Sequence, residues 1–472
     1  MNRRETAFGL LATSLAAPAI LSASPSNGSP PPEFAQVGWE IRDAATKPDA
    51  YNLRTAKIPA LRARCHSEDA VRRVLDWAKK TNMPFSVQSG GHCFEGLSQS
   101  DDLIIDLSGL AETSLVSNTD LIAEPGARLW QVNDATSAIN KALPAGYCQH
   151  VALGGHVCGG GLGILSRRFG LTCDNLKAAR LLTATGDILD VTKDSHPDFF
   201  WALQGGGSGS FGIVTEYRLG LHTVESASLT DYFWMVPNSD AGALLHEALE
   251  LVRDFDRSIS PFFYFTAHSE DTILLRLRLV SLATPTAMKV ATTRFDRLAV
   301  PLMEPQTQNG TYTEIADLMW PREYNPRAWV KNKTAFLKDS GDSRFWQSIV
   351  DAMAENWNHD IWASIEQLGG EIDALQPDDT AFVHRRGPEF LVGIGLTRMD
   401  SGDPKPTLSA MRRVFRVLRS SAASGTYVNY PDSELTDWKT AYWGRNYPRL
   451  ARIKRQIDPD NLFRHNQSVG EF

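Results

Sequence analysis

Apolar residues recur at helical spacing through 68–80, at Val71, Val74, Leu75 and Ala78, with Ser67 placed as an N-cap. Short apolar runs bounded by turn residues predict strands at 84–88, 103–107 and 121–124. Helical period returns over 128–143. The runs 176–182 and 188–191 flank Thr185-Gly186-Asp187 and read as a hairpin. A helix over 196–203 and a strand over 213–219 complete a mixed α and β half, punctuated by glycine-rich turns. Beyond about residue 226 glycine clusters thin out. Apolar strands at 262–267, 273–280 and 390–396 alternate with helical stretches at 241–255, 345–355 and 408–418. This half reads as a second α+β domain.

A chain of 472 residues exceeds what one core usually supports, so two or more domains are expected. Hydrophobic content of 42% and charged content of 22% fit a globular chain without stable membrane insertion. A net charge of −7 argues against nucleic acid and anionic membranes as partners. The 12 Trp and 21 Phe supply flat surfaces suited to sugar rings or polycyclic ligands, although most serve the core. Five cysteines are too few for a disulfide scaffold.

The N-terminus changes the picture of where the protein works. Arg3-Arg4, an apolar run to about Leu21 and the small residues Ser22 to Ser24 predict a twin-arginine signal peptide over 1–24, with a plain Sec signal as the alternative. That implies the twin-arginine translocation machinery as a partner and a periplasmic or secreted destination. Residues 25–57 read as a Pro/Ser linker and lead-in.

Candidate chemistry concentrates at 144–175, PAGYCQHVALGGHVCGGGLGILSRRFGLTCDN, which holds three of the five cysteines. Glycine this dense lets backbone lie close against a flat or charged body, and N–H groups at a following helix start suit an anionic cofactor. A glycine-rich surface loop with a chance cysteine is the alternative. Cys148, His150, His156 and Cys158 also suggest zinc, although structural zinc ligands are usually spaced more widely and without so much glycine. His92, after Gly90-Gly91, parallels Cys148 as a nucleophile beside a glycine turn, so an electrophilic cofactor held between them could be attacked by both. Among the clustered tyrosines 427, 430, 442 and 447, one becomes a base only if its pKa falls from the usual ~10.

Taken together these motifs resemble the berberine-bridge-enzyme-like FAD oxidoreductases of the vanillyl-alcohol-oxidase type. The resemblance runs over about 58–219 and from 380 to the C-terminus. Val87-Gln88-Ser89-Gly90-Gly91-His92 with Gly96-Leu97-Ser98 is similar to that family's first flavin loop, whose histidine bonds the flavin 8α carbon. Ala145-Gly146-Tyr147-Cys148 is similar to the loop whose cysteine bonds flavin C6. Gly154-Gly155-His156, Gly159, Gly160, Gly161 and Gly163, then Asp174-Asn175, and Gly212-Ile213-Val214 continue the resemblance. Asn446, Asn461 and Gln467 lie in the family's C-terminal signature.

The resemblance implies an α+β fold: a two-part FAD-binding domain (58–225, with 422–472 returning to it) and an inserted α+β substrate domain (226–421), an antiparallel sheet covered by helices. It implies bicovalent FAD on His92 and Cys148, and no metal. Tyr430 matches the tyrosine that removes the alcohol proton in sugar- and alcohol-oxidising members, and Glu366 falls where the former carry its acidic partner. The glutamate base of alkaloid-cyclising members is replaced by Gly395 or a neighbour. Val151 is valine as in members that react with O2. The implied activity is oxidation of a small-molecule alcohol or hemiacetal, with O2 as acceptor.

Overall fold

The computed structural model describes residues 32–325, 327–398, 402–420 and 423–470. The predicted signal peptide lies outside them. Of the described helices, none is long and apolar enough to cross a membrane.

Three large sheets and one two-stranded ribbon organise the described residues. The first runs Val37–Ile41, Leu61–Cys65, Leu103–Asp106, Phe85–Gln88, with the last three strands parallel. Helix Glu68–Thr81 packs against it through Val71, Val74, Leu75 and Ala78. Ser67 Oγ accepts from Ala70 N at 3.1 Å, and Asn82, at φ +51°, ends the helix. The second sheet is antiparallel, ordered Thr113–Ser117, Asp120–Ala123, Ile213–Gly220, Leu176–Leu182, Ile188–Thr192. Helices Trp438–Trp443 and Tyr447–Ile457 bury Tyr442, Trp443, Leu450 and Ile453 in its core.

Two local expectations are corrected. The helix expected over 128–143 spans only Leu129–Ser137; Asn140 takes φ +53°, and Lys141–Ala142 pairs with His222–Thr223. The apolar spacing persisted because Ala142 and Leu143 are buried as extended residues. The glycine run does not open into a helix either. Gly154, Gly155 and His156 sit inside the short helix Leu153–Cys158, and only one turn, Ser166–Phe169, follows.

The third sheet has eight antiparallel strands, in the order Gln306–Gly310, Ala227–Pro237, Thr272–Ser281, Ile259–Ala267, Ile361–Gln367, Phe390–Arg398, Trp329–Leu337, Ala423–Ser424. One face carries Leu275, Leu277, Phe263, Phe265, Ala363, Ile365, Val392 and Ile394, packed with helices Asn238–Val252, Ser343–Ala354 and Lys405–Arg419. Successive side chains alternate faces, so the residues between these point the other way. Phe265 is fully buried on the helix face. Phe265→Ala is expected to cost about 3–5 kcal/mol, read as a lower urea midpoint.

Candidate active site

A cavity of about 1030 Å³ lies between the glycine loops and the bare face of the third sheet. It is as large as the roomiest small-molecule sites. From the first loop Ser89, Gly90, Gly91, His92, Leu97 and Ser98 reach its wall; from the central stretch Cys148, Val151, Gly154, Gly155 and His156 do; and Gly212, Ile213, Val214 and Gln467 complete that side. Glu366 and Tyr430 face the same space. His92 and Cys148, 56 positions apart in sequence, therefore share one cavity.

Their protonation follows from burial. His92 stacks on Tyr51 with ring centroids 4.5 Å apart. Desolvation first, then Arg128 and His150, push its pKa down to about 3, so the ring is neutral with a free lone pair. Burial pushes the Cys148 thiol up to about 11, against backbone N–H groups of His150 and Val151 and the charge of Arg128. His156, lowered to about 4 by burial, accepts from Gly146 N at 2.9 Å and so holds the turn that carries Cys148. The zinc alternative loses its geometry: His150 Nε2 pairs with Arg322 O, Cys158 with Tyr217 OH, and His156 with Gly146.

The sheet supplies the opposite wall. Trp362, Ser364 and Glu366 alternate along Ile361–Gln367, with Tyr264 opposite Ser364 and Gly395 opposite Trp362. Glu366 is 7% exposed and takes one long bond from Tyr147 OH, 3.4 Å. Burial lifts its pKa to about 7. Tyr430 packs edge-on to Tyr427 and beside Phe94, each with centroids 5.3 Å away. A phenolic base was expected to need a lowered pKa. Burial, then Tyr147 and Glu366, drive that of Tyr430 well above the ordinary value instead. Tyr427 OH is already committed, accepting from Gly161 N and Leu162 N.

Several residues expected at the cofactor stand outside the cavity, because their atoms are used within the protein. A Cβ on Gly96 would meet Thr55 at 2.7 Å, and one on Gly159 would meet Asn429 at 1.9 Å. Gly160 lies against Phe382, Gly161 against Thr172, and Gly163 against Ala145 O. Asp174 forms a buried pair with Arg385. Asn175 Nδ2 donates to Phe169 O and Leu171 O. Asn446 Nδ2 donates to Pro377 O at 2.7 Å, and Asn461 closes a turn at φ +50°. Conversely Tyr51, Tyr147, Tyr264 and Trp362 line the site without having been singled out. For Trp362 the period-two pattern Trp362-x-Ser364-x-Glu366 was the available signal.

Comparison with known proteins places this geometry. The FAD binding domain profile matches residues 59–192, and the berberine and berberine-like profile matches 426–470. An uncharacterized FAD-linked oxidoreductase of Bacillus subtilis is 29% identical over 89% of this chain and 92% of its own. Chitooligosaccharide oxidase of Gibberella zeae is 26% identical, with 89% of each chain covered. The structure of berberine bridge enzyme from Eschscholzia californica superposes with a TM-score of 0.82 at 23% identity, covering 92% of this chain and 96% of that one. The site is that of an FAD-dependent oxidoreductase. The chain belongs to the berberine-bridge-enzyme-like FAD-linked oxidoreductases.

The residues present fit FAD. At Gly155 a Cβ would meet only Ser208 Oγ, at 3.7 Å, so the bare backbone there leaves open space at the cavity wall. A Cβ on Gly90 would collide with Ala152 at 2.8 Å, which keeps two wall segments close. A Cβ on Gly395 would fall 2.1 Å from the Trp362 ring, so the indole occupies the space beside that backbone. Gly395→Ala is therefore expected to displace Trp362 and to cost about 1–3 kcal/mol. Tryptophan fluorescence and urea unfolding would show both.

Proposed function

We propose that this protein is an exported FAD oxidase acting on an alcohol or hemiacetal carbon, with O2 as acceptor and H2O2 as product. The observation that carries the reading is Glu366: a carboxyl buried in the wall of the cavity shared with His92 and Cys148, where desolvation raises its pKa to about 7. Export rests on the leader sequence alone. The alcohol class draws on the relative named chitooligosaccharide oxidase and on Gly395, where the resemblance implies a glutamate in alkaloid-cyclising members. Relatives named reticuline oxidase and aclacinomycin oxidase make an amine or polycyclic substrate the second reading.

FAD, when bound, supplies the two-electron acceptor for hydride leaving the substrate carbon. His92 and Cys148 are proposed to hold it covalently, at the 8α carbon and C6. His92 is suited as the tether because its imidazole is neutral. The chain's own task is then to take the hydroxyl proton. Phenolate at Tyr430 is too costly to be the resting base, so Tyr430 acts by handing its proton onward. Glu366, ionised above about pH 7, is the group that can receive it. Tyr147 donates to Glu366 and orients it. Burial, then Glu366, raise the Tyr147 pKa well above the ordinary value, and Arg278 opposes part of that rise. Val151 lines the cavity, and the resemblance makes valine there the residue of members that react with O2. A dehydrogenase feeding a quinone or protein acceptor is the rival, and mixing reduced enzyme with air-saturated buffer separates the two.

Acid precipitation is expected to leave the yellow chromophore in the pellet. His92→Ala together with Cys148→Ala should release it to the supernatant, with peptide mass analysis as the check.

Glu366→Gln is expected to lower kcat/KM by about 10²–10⁴ and to abolish a limb that falls as pH drops below about 7. The same substitution has a stability signature. Glu366 is raised from 4.5 to about 7, so its stability contribution is full below 4.5 and is lost as pH rises through 7. At pH 8 the ionised carboxylate costs about 3 kcal/mol. Glu366→Gln should therefore raise the urea midpoint at pH 8 more than at pH 4.

A further inference from the structure

Three segments of the site converge on a buried group of charges that the reaction above does not use. Lys331 Nζ bonds Asp432 Oδ1 at 2.7 Å and also bonds Glu95. Lys333 Nζ bonds Asp432 Oδ2 at 2.6 Å, and Arg54 Nη2 reaches Glu95 Oε1 at 2.7 Å. Ser433 Oγ donates to the other Glu95 oxygen at 2.6 Å. The side chains of Lys331, Glu95 and Asp432 are 1%, 2% and 1% exposed.

Each partner belongs to a different working part. Glu95 lies three residues after His92. Asp432 lies two residues after Tyr430. Lys331 adjoins Asn332, which faces the cavity from strand Trp329–Leu337. Asp432 is also pinned by its backbone: its N–H donates to Tyr442 OH at 2.8 Å, and its carbonyl accepts from Gln467 Nε2 at 2.8 Å.

Such a cluster is a poor source of stability. Desolvation of the charges offsets their attraction, and apolar replacements are often at least as stable. What apolar packing lacks is direction. One ammonium shared by two carboxylates fixes the separation of the segments that carry them.

We propose that Lys331 is a positioning residue that sets the Tyr430 segment against the loop carrying His92, and so holds the proton-accepting side at a fixed distance from the flavin tether. This rests on the reading of Tyr430 given above.

The test is a double-mutant cycle on holoenzyme, combining Lys331→Met with Tyr430→Phe, with kcat expressed per covalently bound flavin. Lys331→Met is expected to lower kcat about tenfold to a hundredfold while KM moves less. The double variant should be little worse than Tyr430→Phe alone, because both changes act through one group. Lys331→Arg, which keeps the charge, should regain most of the loss. Unchanged kcat per flavin in Lys331→Met, or losses that multiply independently, overturns the proposal and leaves Lys331 a fold residue. Full turnover in Tyr430→Phe alone overturns the reading of Tyr430 first, and this role of Lys331 with it. If Lys331→Met yields no soluble holoenzyme, Glu95→Gln enters the same cycle and is judged by the same outcomes.

Discussion

Desolvation within one cavity governs this site, and it acts on each ionisable group in the same sense, toward the neutral form. The consequence differs by group. For His92 the neutral form is the one the proposed tether requires, and burial holds it there, with a pKa of about 3. For Glu366 burial brings the acid to about 7, where small changes of pH or neighbouring charge decide its state. For Cys148 and Tyr430 the neutral form is the unreactive one. The thiol has partial compensation from Arg128 and two backbone N–H groups. Tyr430 has the reverse, since Tyr147, Glu366, Tyr427 and Cys148 all add to its shift. In the proposed reaction a phenol so placed serves as a conduit for a proton and not as its store.

The cavity depends in turn on strand alternation. Odd positions on Ile361–Gln367 pack against the helices, and even positions make the floor. A one-residue slip in register would exchange Ala363 and Ile365 for Ser364 and Glu366, burying a carboxyl among the helices and exposing the core. The pressure to keep Phe263, Phe265, Val392 and Ile394 inside therefore also fixes Glu366 and Trp362 toward the cavity. Stability and site geometry are set by the same register.

The flavin side was legible because glycine, histidine and cysteine at turns carry a local signal. That signal overreaches. Glycine that lets backbone approach a cofactor looks the same in sequence as glycine that lets backbone approach backbone. Hence Gly159, Gly160, Gly161 and Gly163 read in sequence as flavin glycines, while in the structure they lie against Asn429, Phe382, Thr172 and Ala145. Asp174 and Asn446 show a related ambiguity: a polar residue in a motif can satisfy the protein's own carbonyls and guanidinium groups. The floor was not legible because it is assembled by pairing between strands that span residues 262–398. The charges at Arg54, Glu95, Lys331 and Asp432 have no mutual spacing that sequence could reveal.

The packing at Gly395 bears on which chemistry the floor admits. Trp362 lies across that backbone, and its Nε1 donates to Thr397 Oγ1 at 3.3 Å, so the indole is held in place. An acidic side chain at Gly395 has no room while Trp362 stays. The acid that the cavity does hold, Glu366, stands four residues along the strand from Trp362, about 13 Å away. It is on the side of Tyr147 and Cys148, to which a flavin joined at C6 would be anchored. A substrate presenting its reactive carbon there meets a carboxyl at one end of the floor and an aromatic surface at the other, where Tyr264 stacks on Trp362 with centroids 5.8 Å apart. That polarity, a buried acid at one end and the 41% exposed Tyr264 ring at the other, gives the two ends of the floor different chemistry.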